Sequence, residues 1–132
     1  MPKRCREEFL DPMNIHFTQS SVSKQFSNGE LITNLLDEVL RGVTSVEDFP
    51  TLRVTEYAGQ WYASGNRRLM LFKLLRTYNG FSSVPVQIVH WLRRGGSTDS
   101  ARIRGGGATC KCGSVFNYTD DFIEHLEHVN CF

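Results

Sequence analysis

Trp61-Tyr62-Ala63-Ser64-Gly65-Asn66-Arg67-Arg68-Leu69-Met70-Leu71-Phe72 reads as the end of a strand, a turn of small residues, and a helix that opens on two arginines. Tyr57, Trp61 and Tyr62 are strand formers, because aromatic side chains pack well on a pleated surface. Ser64 and Gly65 break the strand, and glycine lets another group approach the backbone closely. Leu69, Leu71, Phe72, Leu74 and Leu75 then recur as a buried helix face does. The first N–H groups of such a helix have no acceptor within it, and the helix dipole favours an anion there. Arginines at this end oppose the dipole. A phosphate ligand explains their placement, since its oxygens match the guanidinium fork. The competing reading is a capped helix with two solvated arginines.

Outward from this stretch, Leu52–Tyr57 alternates as a strand and turns at Ala58-Gly59-Gln60, so that Trp61–Ala63 returns as its hairpin partner. The helix is expected over about Asn66 to Thr77, ending near Asn79-Gly80. Val84–Val89 follows as a strand, with Pro85 favouring an edge or a strand start. Upstream, Leu31, Ile32, Leu35, Leu36, Val39 and Leu40 give Glu30–Arg41 an amphipathic helical pattern, closed by Gly42. Ile15–Thr18 is a short strand, and residues 1–14 read as an N-terminal tail. The order strand, helix, hairpin, helix, strand predicts an α+β domain over 15–92, with helices packed on a small mixed sheet.

Residues 93–108 are rich in Gly, Ser and Arg without an apolar period, and read as a linker. Arg93, Arg94, Arg102 and Arg104 there are candidates to touch a nucleic-acid backbone. A solvated basic linker is the simpler account. The formal charge of +1 over 132 residues does not announce a nucleic-acid binder. No apolar run is long enough to span a bilayer, so no membrane role is expected. The start, Met1-Pro2-Lys3-Arg4-Cys5-Arg6-Glu7-Glu8, lacks the apolar stretch of a signal peptide, and an intracellular location, cytoplasmic or nuclear, is expected.

Three of the four cysteines crowd into the C-terminal segment, which favours a metal over a disulfide framework. Cys110 and Cys112 are followed by Phe116, Phe122, His125, His128 and Cys131. A segment this short has no core of its own, and four zinc ligands would supply one. The steps Cys112 to Phe116, Phe116 to Phe122 and Phe122 to His125 resemble the two-cysteine, two-histidine zinc finger. That resemblance implies a module over 109–132, either ββα or a knuckle followed by a helix, with Phe116 and Phe122 beneath the metal. Thr119 is a candidate N-cap, and Asp120 and Asp121 suit the positive end of the helix. The cysteine pair has one intervening residue, tighter than in that family. The ligands are expected to be Cys110, Cys112, His125 and Cys131, with His128 as the alternative fourth.

Phe17-Thr18-Gln19, Phe49–Val54, Tyr62–Phe72 and Val84–Val89 together look like the ParB/sulfiredoxin superfamily, over about Ile15 to His90. The resemblance implies that Gly65-Asn66-Arg67-Arg68 is the family's Gly-x-Arg-Arg turn, which binds nucleotide phosphates. Gln19 would be its early glutamine. ATP or CTP, with Mg, would then be the nucleotide. Sulfiredoxins carry their catalytic cysteine where this chain has Asn66, so sulfinic-acid chemistry is not expected. The partitioning members carry an Arg just after the early Gln, where this chain has Ser20 and Ser21, and continue into a helix-turn-helix that this chain replaces with the zinc-finger-like segment.

Backbone N–H groups at Asn66, Arg67 and Arg68 would cradle a phosphate, with either arginine neutralising it and Asn66 adding a hydrogen bond. Should phosphoryl transfer or nucleotide hydrolysis follow, Glu30, Glu56 and His16 are candidates for a base in name only, their ordinary readings being a helix-start charge, an exposed strand residue and a surface histidine. The alternative function is a non-catalytic adaptor that binds protein or nucleic acid through the zinc-finger-like segment. Its helix offers Asp120, Asp121, Glu124 and Glu127, which repel phosphate, so protein is the better partner for that helix. A third reading makes the metal a staple for the C-terminal end of an inert domain.

Overall fold

A computed structural model describes residues 6–78, 80–89, 100–129 and 131. The strands and helices, in chain order, are β1 (Arg6–Leu10), β2 (Ile15–His16), β3 (Ser21–Ser23), α1 (Ile32–Leu40), β4 (Leu52–Tyr57), β5 (Gln60–Ala63), α2 (Asn66–Leu75), β6 (Val84–Ile88), β7 (Arg102–Arg104), β8 (Ala108–Thr109), β9 (Val115–Phe116) and α3 (Thr119–His128). The class is α+β, as the order of elements predicts. The main sheet runs β1-β6-β4-β5-β2 and is mixed: β6 pairs antiparallel with β1 and parallel with β4.

The hairpin forms as read. Ala58 and Gly59 both take positive φ, at 52° and 78°, the backbone of a two-residue turn whose twist matches its strands. Helix α1 closes as read too. The Val43 N–H reaches back to the Glu38 carbonyl and the Gly42 N–H to that of Val39, the paired bonds of a left-handed glycine cap. Pro85 stands in an interior strand rather than at an edge. The sheet tolerates it because the β4 ladder begins at Val86, one residue later.

Helix α2 is the hub. Leu69 through Leu75 are buried without a break, so the helix has no solvent face along that stretch. It touches α1 on one side and α3 on another. The sequence suggested a one-sided apolar stripe; the helix is instead enclosed, as a helix apolar around most of its girth must be. Lys73 is the exception in composition, 1% exposed, with its Nζ 5.3 Å from the centre of the Phe17 ring.

Two expected boundaries give way. Residues 6–14 are not tail: β1 completes one edge of the sheet, and Asp11 both caps a 3-10 turn over Pro12–Asn14 and pairs with Arg76 at 3.0 Å. Residues 101–108 are not linker either. Arg102-Ile103-Arg104 is a strand paired in parallel with β3, and Ala101 and Ile103 are buried. Arg93, Arg94 and Trp91 lie outside the described residues, as do Cys5 and Asn79. The expected finger is likewise no appendage. Phe122, Ile123, Leu126, Ala108 and Cys110 belong to the same apolar cluster as Leu36, Leu71 and Phe17.

Thr119 shows how this end is fastened. It was expected to cap α3, but its hydroxyl accepts the Ala101 N–H at 2.9 Å, and its own N–H donates to the Ala101 carbonyl. A buried amide at Ala101 needs an acceptor, and that need outweighs the cap. Gly107 fixes the neighbouring hairpin. A Cβ there would stand 2.6 Å from the Phe116 carbonyl oxygen, and φ is +85°.

Candidate functional site

The C-terminal segment puts four ligand atoms together. The sulfurs of Cys110, Cys112 and Cys131 and a ring nitrogen of His125 all lie within 4.8 Å of one another, an arrangement that can hold a metal ion. Cys110 and Cys112 sit at the β8–β9 turn. There the Cys110 N–H donates to the Ser114 carbonyl, and Gly113, at φ 95°, donates to Cys110. Helix α3 carries His125, whose ring packs on Phe116 at 4.8 Å; Phe116 in turn stacks on Phe122 at 5.0 Å. After the helix Cys131 joins the group, its N–H bonded to the Val129 carbonyl. His128 is exposed and stands outside the group, so the geometry selects Cys131 over it.

The distances bear on which ion fits. Cys112 Sγ lies 3.5 Å and Cys131 Sγ 3.3 Å from His125 Nε2. A zinc tetrahedron with bonds of about 2.3 Å to sulfur and about 2.0 Å to nitrogen has S···N edges of about 3.5 Å. The thiols already differ. The Ser114 hydroxyl and backbone bonds hold Cys112 down at about 6, where a thiolate is present at neutral pH. Burial, with the neighbouring Cys110 and Cys112, pushes Cys131 up to about 11. Lys111, beside the pair, reaches Asp37 of α1 at 3.2 Å, tying the cysteine turn to the main domain.

The second candidate lies at the start of α2. Gly65 adopts a left-handed conformation, φ 77° and ψ 69°, and no side chain caps the helix. A cavity of about 400 Å³ opens there, lined by Thr18, Gln19, Gly65, Asn66, Arg67 and Arg104 among others. Of the residues predicted for phosphate, Gln19, Gly65, Asn66 and Arg67 are brought together. Arg68 is not. One residue further around the helix, it lines a separate cleft with Phe26, Glu30, Phe49 and Leu71. Burial and the charge of Arg67 lower its affinity for its proton. Arg67 donates to the Gln25 carbonyl at 3.4 Å, and neither arginine has a carboxylate partner among the described residues.

Asn66 is largely committed elsewhere. Its side-chain oxygen accepts the Thr18 N–H at 2.8 Å and its amide group donates to the Thr18 hydroxyl at 3.0 Å, while that hydroxyl donates to the Ala63 carbonyl at 2.9 Å. It therefore clasps the segment carrying Gln19 onto the helix start. The expected phosphate contact from Asn66 is replaced by a positioning one. Arg104, named in the sequence as a possible nucleic-acid contact within a linker, stands instead on a strand and lines this cavity. The signal was there: Arg-Ile-Arg and Ser21-Val22-Ser23 both alternate polar, apolar, polar as half-buried strands do. Among the described residues no carboxylate or histidine lines this cavity. Glu30 belongs to the other cleft, Glu56 is exposed on β4, and His16 packs against Tyr62.

No helix among the described residues is long and apolar enough to cross a membrane. Comparison with protein-family models, curated proteins and solved structures finds no match to the chain.

Proposed function

We infer that the chain is a phosphate-binding domain of nucleotide-binding type, carrying a structural zinc ion at Cys110, Cys112, His125 and Cys131. The observation that carries the first part is the cavity at the Gly65 turn. Two arginines, Arg67 and Arg104, line it from separate elements, together with Gln19 and the uncapped start of α2. A concave site with cations and, among the described residues, no lining carboxylate favours an anion, and guanidinium geometry favours phosphate oxygens. The resemblance of Gly65–Arg68 to the nucleotide-binding turn of the ParB/sulfiredoxin superfamily supports the same reading. With no base lining the cavity among the described residues, binding is favoured over phosphoryl transfer.

Zinc is favoured for the metal because three thiolates and an imidazole make a soft, four-ligand set that leaves no open position for catalysis. When bound, the ion would supply a cross-link between the β8–β9 turn, α3 and the segment after it.

The test is calorimetric titration of the purified chain with ATP, CTP and ADP, beside Arg67→Ala and Arg104→Ala. The expected result is binding by the parent, weakened about tenfold or more in each variant, as loss of a charge-assisted bond implies. Equal affinity in parent and variants would remove the nucleotide reading.

A further inference from the structure

Beyond the cavity at Gly65, the β3–β7 ladder presents a second set of phosphate-matching groups. Register pairs Ser21 with Arg102, Val22 with Ile103 and Ser23 with Arg104. Val22 and Ile103 are buried, so the serines and arginines of both strands face outward together. Arg102 and Arg104 stand two residues apart, a rise of about 6.6 Å. That step is comparable to the distance between neighbouring phosphates of an extended nucleic-acid strand.

Arg104 lines the Gly65 cavity and also an adjoining cleft of about 390 Å³, which it shares with Arg102, Gly105, Gly106, Asn117 and Tyr118. The two hollows thus meet at Arg104. Among the described residues neither is lined by a carboxylate, and none of Arg67, Arg102 and Arg104 pairs with one. Gly106 leaves its backbone open, with nothing within 4 Å of where a Cβ would stand, while the Lys24 side chain lies across Gly105. At the far end Tyr118 is 46% exposed, an aromatic face beside a basic groove.

We propose that a single-stranded nucleic acid lies along this track, its phosphates on Arg67, Arg104 and Arg102 and one base stacked on Tyr118. The proposal rests on the phosphate reading of the Gly65 cavity and extends it from one nucleotide to a strand. A row of cations with an exposed aromatic at its end is how proteins hold single strands without reading sequence. A duplex fits less well. The helix after Tyr118 exposes Asp120, Asp121, Glu124 and Glu127, which repel the further phosphates a duplex would bring. The net charge of +1 is no objection, since the groove concentrates cations locally.

The experiment is fluorescence anisotropy with a labelled 12-nucleotide oligouridylate and with labelled ATP, across a salt series, on the full chain. Circular dichroism of each variant checks its fold. The oligonucleotide is expected to bind at least about tenfold more tightly than ATP. Its log affinity should fall with log salt at a slope of about −2, three phosphates at about −0.7 each. Arg102→Ala should lower the slope by about 0.7 and weaken the oligonucleotide more than ATP, and Arg102→Lys should restore the slope. Tyr118→Ala should weaken the oligonucleotide about fivefold or more without changing the slope.

If ATP binds through Arg67 but the oligonucleotide binds no more tightly, or ignores Arg102→Ala, the strand proposal is overturned and the cavity reading stands. A polyglutamate peptide competing as well as the oligonucleotide also overturns it. Oligonucleotide binding that depends on Arg102 but not on Arg67 refutes the cavity reading and the path through it. Binding of neither ligand ends both.

Discussion

The Cys/His cluster and the cavity at Gly65 are assembled by different means. Cys110, Cys112, His125 and Cys131 fall within 22 consecutive residues, on one hairpin, one helix and just past its end. Gln19, Gly65, Arg67 and Arg104 come from three distant parts of the chain and meet only because β3 pairs with β7 and Asn66 clasps Thr18. A local constellation shows in spacing. A non-local one shows only in part, as a helix that begins with the wrong charges. Yet the two regions share a single core, and that dependence can be broken experimentally.

Truncation before Gly105 should have the largest effect. It removes Phe122, Ile123 and Leu126 from the core around α2. Each such loss costs about 2–5 kcal/mol, against a total stability of about 5–15 kcal/mol. Residues 1–104 alone are expected to show no cooperative thermal transition. A truncated chain melting like the parent would make the C-terminal region a true appendage.

Next in size is loss of metal. The chain as purified should carry about one zinc, measured by elemental mass spectrometry. Cys110→Ser should weaken zinc binding by more than about 100-fold, beyond the loss typical of groups that merely support a ligand. His128→Ala should retain the ion, since His128 stands outside the cluster. Equal loss in both variants would put the fourth ligand back in question.

Asn66→Ala should have a smaller effect, confined to the other region. It leaves the Thr18 N–H without its acceptor, at a cost of about 1–3 kcal/mol in denaturant unfolding. Zinc content should be unchanged. A variant as stable as the parent would show that the clasp is dispensable.

The smallest effect separates the thiols of the metal-free chain. Cys112, held near 6, gains its thiolate as pH rises through that value, so its alkylation should climb between about pH 5 and 7 and then level off. Cys131, near 11, should stay nearly unreactive over the same range. Peptide mass mapping after timed alkylation reads both. Similar rates at pH 7 would contradict the difference.

How much could be read in advance follows the same division. The hairpin, α1 and its glycine cap, α2 and α3 were legible, because each is specified by neighbours in sequence: Ala58-Gly59, Gly42, and the apolar spacing of 31–40 and 69–75. β1 was not, since Arg6–Leu10 carries three charges and becomes a strand only through β6. β7 was not, because three residues beside a glycine run look like linker until Ile103 is seen in the core. Arg67 and Arg68 looked equivalent in sequence, but the turn of a helix sends neighbouring side chains about 100° apart, into different clefts. Thr119 was misread because a long-range need, the buried Ala101 amide, claimed its hydroxyl.

The central claim is that a phosphate-bearing ligand docks where α2 begins. Amide chemical-shift mapping of the zinc-loaded chain during titration with ATP tests it most directly. The predicted result is a set of saturable shifts at Gln19, Gly65, Asn66, Arg67 and Arg104, with the amides around Cys112 and His125 unmoved. Shifts centred elsewhere, or none at millimolar ATP, would contradict it.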